Sequence, residues 1–179
     1  MKKILLCLGV LSVLLSCNSP KEKTSETETT TKAAEPAVDL PYQASYASNF
    51  TEDVSDADLK MVLNSYRDWA AGNLNELANA LGDSVDYDAS DGSSHHLNKA
   101  DLLKMWTTYR DSLSSVTIDM YAWQKMYAPD RKEGHVVTWY KEIDTYKNGK
   151  VDSATYHDIN RVKDGKIVWY SSMKRGFKK

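Results

Sequence analysis

The chain has little cysteine: two in 179 residues, Cys7 and Cys17, both near the N-terminus. No thiol lies in the part of the sequence patterned to fold, which excludes a disulfide framework, a thiolate metal site and a cysteine nucleophile there. The four histidines show no His-x-His, His-x-x-x-His or His/Cys spacing, so neither a metal nor another cofactor is expected. The eight glycines form no phosphate-cradling loop, and no serine sits in a nucleophile elbow. Charge of one sign is not concentrated anywhere in the C-terminal part. With 23 Lys and Arg against 25 Asp and Glu and a net charge of -2, no nucleic-acid partner is expected.

Phenylalanine is scarce too (2), but tyrosine (11) and tryptophan (5) are not. Rings with a polar edge suit half-buried surfaces, so they serve a cavity lining, an oligomer face, or the core and sheet surface of a β-rich domain. At 41% hydrophobic and 27% charged, the chain fits one domain of moderate core plus extensions.

The first extension reads as an address. Met1-Lys2-Lys3 and the apolar run Ile4 to Leu15 have the charged and apolar regions of a secretory signal, too short to span a membrane comfortably. The run ends Leu14-Leu15-Ser16-Cys17, which resembles the lipobox of bacterial lipoproteins. That resemblance implies removal of residues 1–16 and acylation of Cys17, whose two or three acyl chains would anchor the chain stably where one would not. Residues 17–50 then read as a tether, rich in Thr, Glu, Lys, Ser, Ala and Pro. As a flexible coil of about 30 residues it would hold the domain roughly 30 Å from the membrane. Tyr42, Tyr46 and Phe50 are the places where it would begin to dock. The expected location is the bacterial cell envelope, extracytoplasmic and bound to the outer membrane through Cys17.

Residues 51–179 carry the fold. Ser55 caps a first helix whose Leu59, Val62, Leu63, Tyr66, Trp69 and Ala70 recur at helical spacing until Gly72. Asn73-Leu74-Asn75-Glu76 restarts as a capping-box-like sequence, with Leu77, Ala78 and Leu81 on one face until Gly82. Ser84 to Ala89 alternates as a short strand, with Val85 and Tyr87 opposed to Asp86 and Asp88. After a loop with His95 and His96, a third helix from Asn98 presents Leu102, Leu103, Trp106, Tyr109 and Leu113. The period then changes to two. Strands are expected from Val116 to Tyr127, His135 to Lys147, Val151 to Val162 and Ile167 to Met173, with Asn148-Gly149 and Asp164-Gly165 as hairpin turns. Helices followed by an antiparallel meander define an α+β class.

Several stretches in this order resemble the nuclear transport factor 2-like superfamily, most nearly its SnoaL-like and ketosteroid-isomerase-like members. They are Ala71-Gly72-Asn73-Leu74, Asp83-Ser84-Val85, His96-Leu97-Asn98-Lys99 and the run Asp158 through Ile167. The resemblance implies a cone: three N-terminal helices packed in a strongly curved antiparallel sheet, with a pocket open at one end. It also places Asp158 at the isomerase position whose protonated carboxyl donates to a substrate oxyanion. Tyr87 stands near that family's strand base, with Asp86 and Asp88 one residue away on the opposite face, and Ser65 near its helix tyrosine, with Tyr66 adjacent.

Strand parity sets Tyr156, Asp158 and Asn160 on one face and His157 on the other. The expected pocket residues are Asp158, Asn160, Tyr156, Tyr66, Tyr87 and Trp106, with Asp158 the candidate catalytic group. In an apolar cavity its charged form is disfavoured, which suits a proton donor; equally, it pairs with Arg161 or a backbone group and does no chemistry. Two functions follow from the resemblance. One is a membrane-anchored domain that binds a small apolar or amphipathic ligand, or an envelope partner protein, in its cone. The other is an isomerase, dehydratase or cyclase using Asp158 with His157, Asp88 or Tyr66. Large residues on both sides of His135 to Lys147 favour a sheet covered on both faces, hence a homodimer.

Overall fold

A computed structural model describes residues 39–176; the expected signal sequence, Cys17 and most of the expected tether fall outside the described residues. Helix α1 (Asp56–Ala71) starts where Ser55 Oγ accepts the Asp58 amide, with Asp56 and Asp58 in the first turn at the positive end of the helix dipole. It stops at Gly72, whose φ of 75° is a left-handed conformation that costs a side chain but not glycine. Helix α2 (Leu74–Ala80) follows at once, and Asn73 makes no side-chain capping bond, so the capping box expected there does not form. Helix α3 (Lys99–Arg110) is capped by Asn98, which accepts from the Asp101 amide.

The strands are β1 (Leu81–Asp88), β2 (Ser94–Asn98), β3 (Leu113–Ala128), β4 (Glu133–Tyr146), β5 (Val151–Lys163) and β6 (Lys166–Gly176). They form one six-stranded sheet in the order β2-β1-β6-β5-β4-β3. All neighbours are antiparallel except β1 and β6, which pair in parallel inside the β2 edge. Register shifts near Met120 in β3, at Arg161 in β5 and in β1 are the irregularities that bend a pleated sheet, and they curve this one round the helices.

Three boundaries differ from the sequence reading. Leu81 belongs to β1 and not to α2, because its apolar side chain completes the core from a strand as well as from a helix. His95 and His96 lie in β2 and not in a loop; their strand is short, polar and exposed, and so has no hydrophobic period to reveal it. Leu113 opens β3, after α3 has ended at Arg110.

The core lies between the helices and the concave face of the sheet. Val62, Leu77, Leu81, Val85, Leu102, Val136 and Ile167 are its buried apolar members. Each fully buried Leu or Val contributes about 1.5–3 kcal/mol relative to exposure. Val136 and Tyr140 of β4 face this core, whereas Trp139 lies on the convex face, stacked on His157 with ring centroids 4.8 Å apart. Both faces of β4 thus carry large residues, but the convex face is only partly covered: Tyr121 is 55% exposed and Met173 52%. At its far end Tyr46 donates to Glu133 and lies under the Arg131 guanidinium, 4.7 Å from the ring centroid. Tyr42 remains 87% exposed.

Candidate functional site

The concave face leaves a cavity of about 470 Å³ between α1, α3 and strands β1, β4, β5 and β6. Its walls are aromatic: Tyr66, Trp69, Tyr87, Trp106, Tyr109, Tyr140, Tyr156 and Tyr170. These rings hold one another, with Tyr87 stacked on Tyr170 at 5.4 Å, Tyr140 on Tyr156 at 5.2 Å and Trp69 on Tyr109 at 6.2 Å. Such pairs fix ring positions and add stability beyond area burial. Pockets for small molecules are typically apolar and aromatic, with a few convergent polar groups.

The polar groups come from alternate residues of β4, β5 and β6. Pairing sets Thr138 opposite Asp158, and Asp158 opposite Ser172, so these side chains share the concave face. Asp158 is fully buried. Its Oδ2 accepts from three phenols: Tyr140 at 2.7 Å, Tyr170 at 2.8 Å and Tyr66 at 3.0 Å. Tyr66 is itself saturated, because its oxygen accepts from Thr138 Oγ1 at 2.9 Å and from Asn160 Nδ2 at 3.0 Å. The other carboxylate oxygen, Oδ1, has no hydrogen-bond partner.

Burial raises the pKa of Asp158, and the Ser172, Tyr140, Tyr170 and Tyr66 hydroxyls pull it back by favouring the charged form. Ser172 does so without completing a hydrogen bond to Oδ1. Tyr66, Tyr140 and Tyr170 are pushed well above the usual phenol value, first by burial and then by neighbouring negative charge, and they stay protonated. Asp158 therefore sits behind a layer of phenols that line the cavity in its place.

A second carboxylate faces the cavity directly. Glu142 of β4 is 7% exposed and accepts one hydrogen bond, from Trp69 Nε1 to Oε2 at 3.2 Å. Burial, followed by the nearby Asp144 charge, pushes its pKa up to about 8. Asp144 is buried one position further along the same face, accepts from Tyr109 at 2.7 Å, and leaves its Oδ1 without a partner. Burial raises its pKa, with the Tyr109 hydrogen bond opposing. Lys174 of β6 lines the rim, but its ammonium is bound to Asp152, 3.2 Å away.

Of the residues singled out in the sequence, Asn160, Tyr156, Tyr66, Tyr87 and Trp106 all border this cavity, and Asp158 lies directly behind its wall. His157 does not join them; it packs on the convex face. Asp86 and Asp88 also face away from the cavity, Asp86 bound to His96 at 2.7 Å and Asp88 to Ser94 and Trp169. His95 borders the cavity mouth, stacked on Tyr87 at 6.1 Å. Tyr140, Tyr170 and Glu142 were not expected at the cavity, and Trp69 and Tyr109 were expected only on helix faces. Counting parity from Glu142 through Tyr140 to Thr138 would have grouped the β4 residues, had the face of β4 been known. Among the described residues, no group of three or more His, Cys, Asp or Glu is placed to hold a metal.

A cone of three helices in a curved sheet, closed round one aromatic cavity, defines a class of pocket proteins. It is the nuclear transport factor 2-like fold. No protein-family model matches the chain, and no curated protein matches it. Solved structures do. An LEH-like epoxide hydrolase of M. tuberculosis matches with a TM-score of 0.56 at 12% identity, over 66% of this chain and 83% of that one. An NTF2-like protein of unknown function from Burkholderia pseudomallei matches with a TM-score of 0.56 at 13% identity, over 68% and 92%. An NTF2-like protein from Anabaena variabilis matches with a TM-score of 0.53 at 15% identity, over 69% and 92%. At these identities the likeness is one of fold, and function rests on the site.

Proposed function

We propose that this chain is a lipid-anchored, extracytoplasmic protein of the bacterial envelope that holds a small amphipathic molecule in its cone. The carrying observation is the cavity of about 470 Å³, walled by aromatic rings and bearing polar groups along one side. A ligand of that size would bury its apolar body against Trp69, Trp106 and Tyr87. Its polar end would meet Glu142, Asn160 and the phenols fixed by Asp158. The resemblance of Leu14 to Cys17 to a lipobox supports the anchor, and the part-exposed convex face leaves room for a second copy of the chain. Native mass spectrometry of the protein isolated from its own envelope tests the binding. Retention of one small molecule, lost when Trp106→Ala opens the wall, is the expected result; a bare protein with silent tryptophan fluorescence across apolar and amphipathic compounds would sink the proposal.

A second reading is enzymatic, and Glu142 favours it. A carboxyl group with its pKa pushed up to about 8 exchanges protons near neutral pH, as a general acid or base must. In this reading Glu142 moves the proton, and the phenols of Tyr66, Tyr140 and Tyr170, each donating to Asp158, form the fixed wall against which a carbonyl or epoxide substrate lies. The fold it shares with a protein described as an epoxide hydrolase agrees with such chemistry without assigning it. Turnover of a carbonyl or epoxide substrate that Glu142→Gln abolishes while ligand binding survives would establish this reading; no turnover across both classes would remove it.

A further inference from the structure

Glu142 presents an uncommon arrangement: a carboxylate more than nine-tenths buried, bordering a cavity, with one of its two oxygens unbonded. Oε2 takes the Trp69 indole N–H, and no described residue donates to Oε1. Asp144, next along the face, repeats the pattern with its own unbonded Oδ1. Two buried carboxyl groups with spare acceptor capacity ionise at least cost where a charged donor reaches them.

Lys174 acts on both carboxyl groups from a distance, and Arg110 on Asp144, but no lysine or arginine among the described residues hydrogen-bonds either of them. Lys174 is the only lysine or arginine of that set bordering the cavity, and its ammonium is bound to Asp152. The rings nearest in sequence and pairing to Glu142 are Trp69, which bonds it, Tyr140, two residues back on β4, and Tyr156, which stacks on Tyr140. Aromatic faces beside carboxylates are the chemistry that recognises substituted ammonium groups. The wall already does this once, since the Lys174 ammonium lies over the Tyr156 ring, 5.7 Å from its centroid.

We infer that the cone takes a cationic amphiphile: an organic amine whose protonated nitrogen is bound between Glu142 and the rings of Trp69, Tyr140 and Tyr156. The inference rests on the pocket reading above and names the ligand's chemical class. The amine donates an N–H to the unbonded Oε1 of Glu142, which gives up its proton to solvent as the ammonium pairs with it, and the apolar body fills the cavity toward Trp106 and Tyr87. A neutral ligand leaves Glu142 protonated and gains no charge pairing from it, and an anion is repelled once Glu142 ionises.

The test compares three probes of one shape on the full chain in lipid nanodiscs, by isothermal titration at about pH 8.5, where Glu142 is ionised and an alkylamine still protonated: 2-phenylethylamine, 2-phenylethanol and phenylacetate. The expected order is amine first by about tenfold or more over the alcohol, with the acid last. In Glu142→Gln the amine's advantage over the alcohol should vanish. Alcohol or acid binding as tightly as the amine in the unaltered protein overturns the inference and leaves the pocket reading standing, a comparison that does not depend on the variant folding. Failure of all three to bind at millimolar concentration overturns both.

Discussion

The Tyr140 hydroxyl lies 2.7 Å from Asp158 Oδ2 across the β4–β5 pairing, the shortest of three phenol contacts to that single oxygen. A carboxylate oxygen that accepts three donors turns three long side chains into one rigid wall. It also makes the contributions of those phenols unequal. Tyr170 gives Asp158 one hydrogen bond, whereas Tyr66 gives one and also accepts from Thr138 and Asn160. Tyr170→Phe should therefore destabilise by about 1.5–3 kcal/mol, the range for a hydrogen bond to a charged group. Tyr66→Phe should cost more, by about 1–3 kcal/mol, because it strands two buried donors. Urea unfolding with an unchanged m-value measures both; equal midpoints for the two variants would contradict the network.

The helices that close the cavity are tied together at their ends. Arg110, the last residue of α3, donates to the carbonyls of Trp69 at 3.3 Å and Ala70 at 3.2 Å, satisfying the final turn of α1. A Cβ at Gly72 would stand 3.3 Å from the Arg110 guanidinium and would hold a left-handed backbone that favours glycine. Gly72→Ala is expected to cost about 1–2 kcal/mol. Arg110→Met should cost a similar amount and loosen the wall formed by Trp69. Thermal unfolding checks both, and a wild-type midpoint in either variant would show that this junction does not support the helices.

Most of the architecture was legible because hydrophobic period and turn chemistry agree in this chain. Ser55 and Gly72 bound α1 where capping rules put them, and Asn148-Gly149 and Asp164-Gly165 turn the meander. Polar β2 was not legible, since Ser94 to Asn98 buries almost nothing. The site was legible in half. Parity from Asp158 reaches Tyr156 and Asn160 along one strand, but Tyr140, Glu142 and Tyr170 join them only through cross-strand register, where a slip of one residue would turn each side chain to the other face. Glu142 had a further disguise, because an isolated acid between Lys141 and Ile143 reads as a solvated strand residue.

The anchor makes a prediction independent of the pocket. If Cys17 is acylated, Cys17→Ser should move the protein from the membrane fraction to the soluble fraction and abolish incorporation of labelled palmitate. The domain should be untouched, since its core begins at Val54 and its sheet at Leu81. An unchanged circular dichroism melt together with lost membrane association is the expected pair of results. A variant that stays in the membrane fraction would refute acyl anchoring at this residue.

The raised pKa of Glu142 sets the direction in which stability responds to pH. Its ordinary value is 4.5, and in the folded protein it is pushed up to about 8. Between those values the folded chain keeps a proton that the unfolded chain has released, so folding is favoured by low pH. The stabilisation is complete below about 4.5 and is lost as pH rises through about 8, where the buried side chain must ionise. A tenfold difference in proton affinity between folded and unfolded chain is worth about 1.4 kcal/mol, so the full loss is on the order of a few kcal/mol. Asp144 and Asp158, also raised by burial, act in the same direction. Glu142→Gln isolates one contribution, because the amide oxygen still accepts from Trp69 and never ionises. The difference in unfolding free energy between variant and wild type should move in the variant's favour from about pH 5 to about pH 8.5, as read from urea melts across that range. A constant difference would mean that Glu142 ionises in the folded state as readily as in the unfolded chain, and its place in either functional reading would be lost.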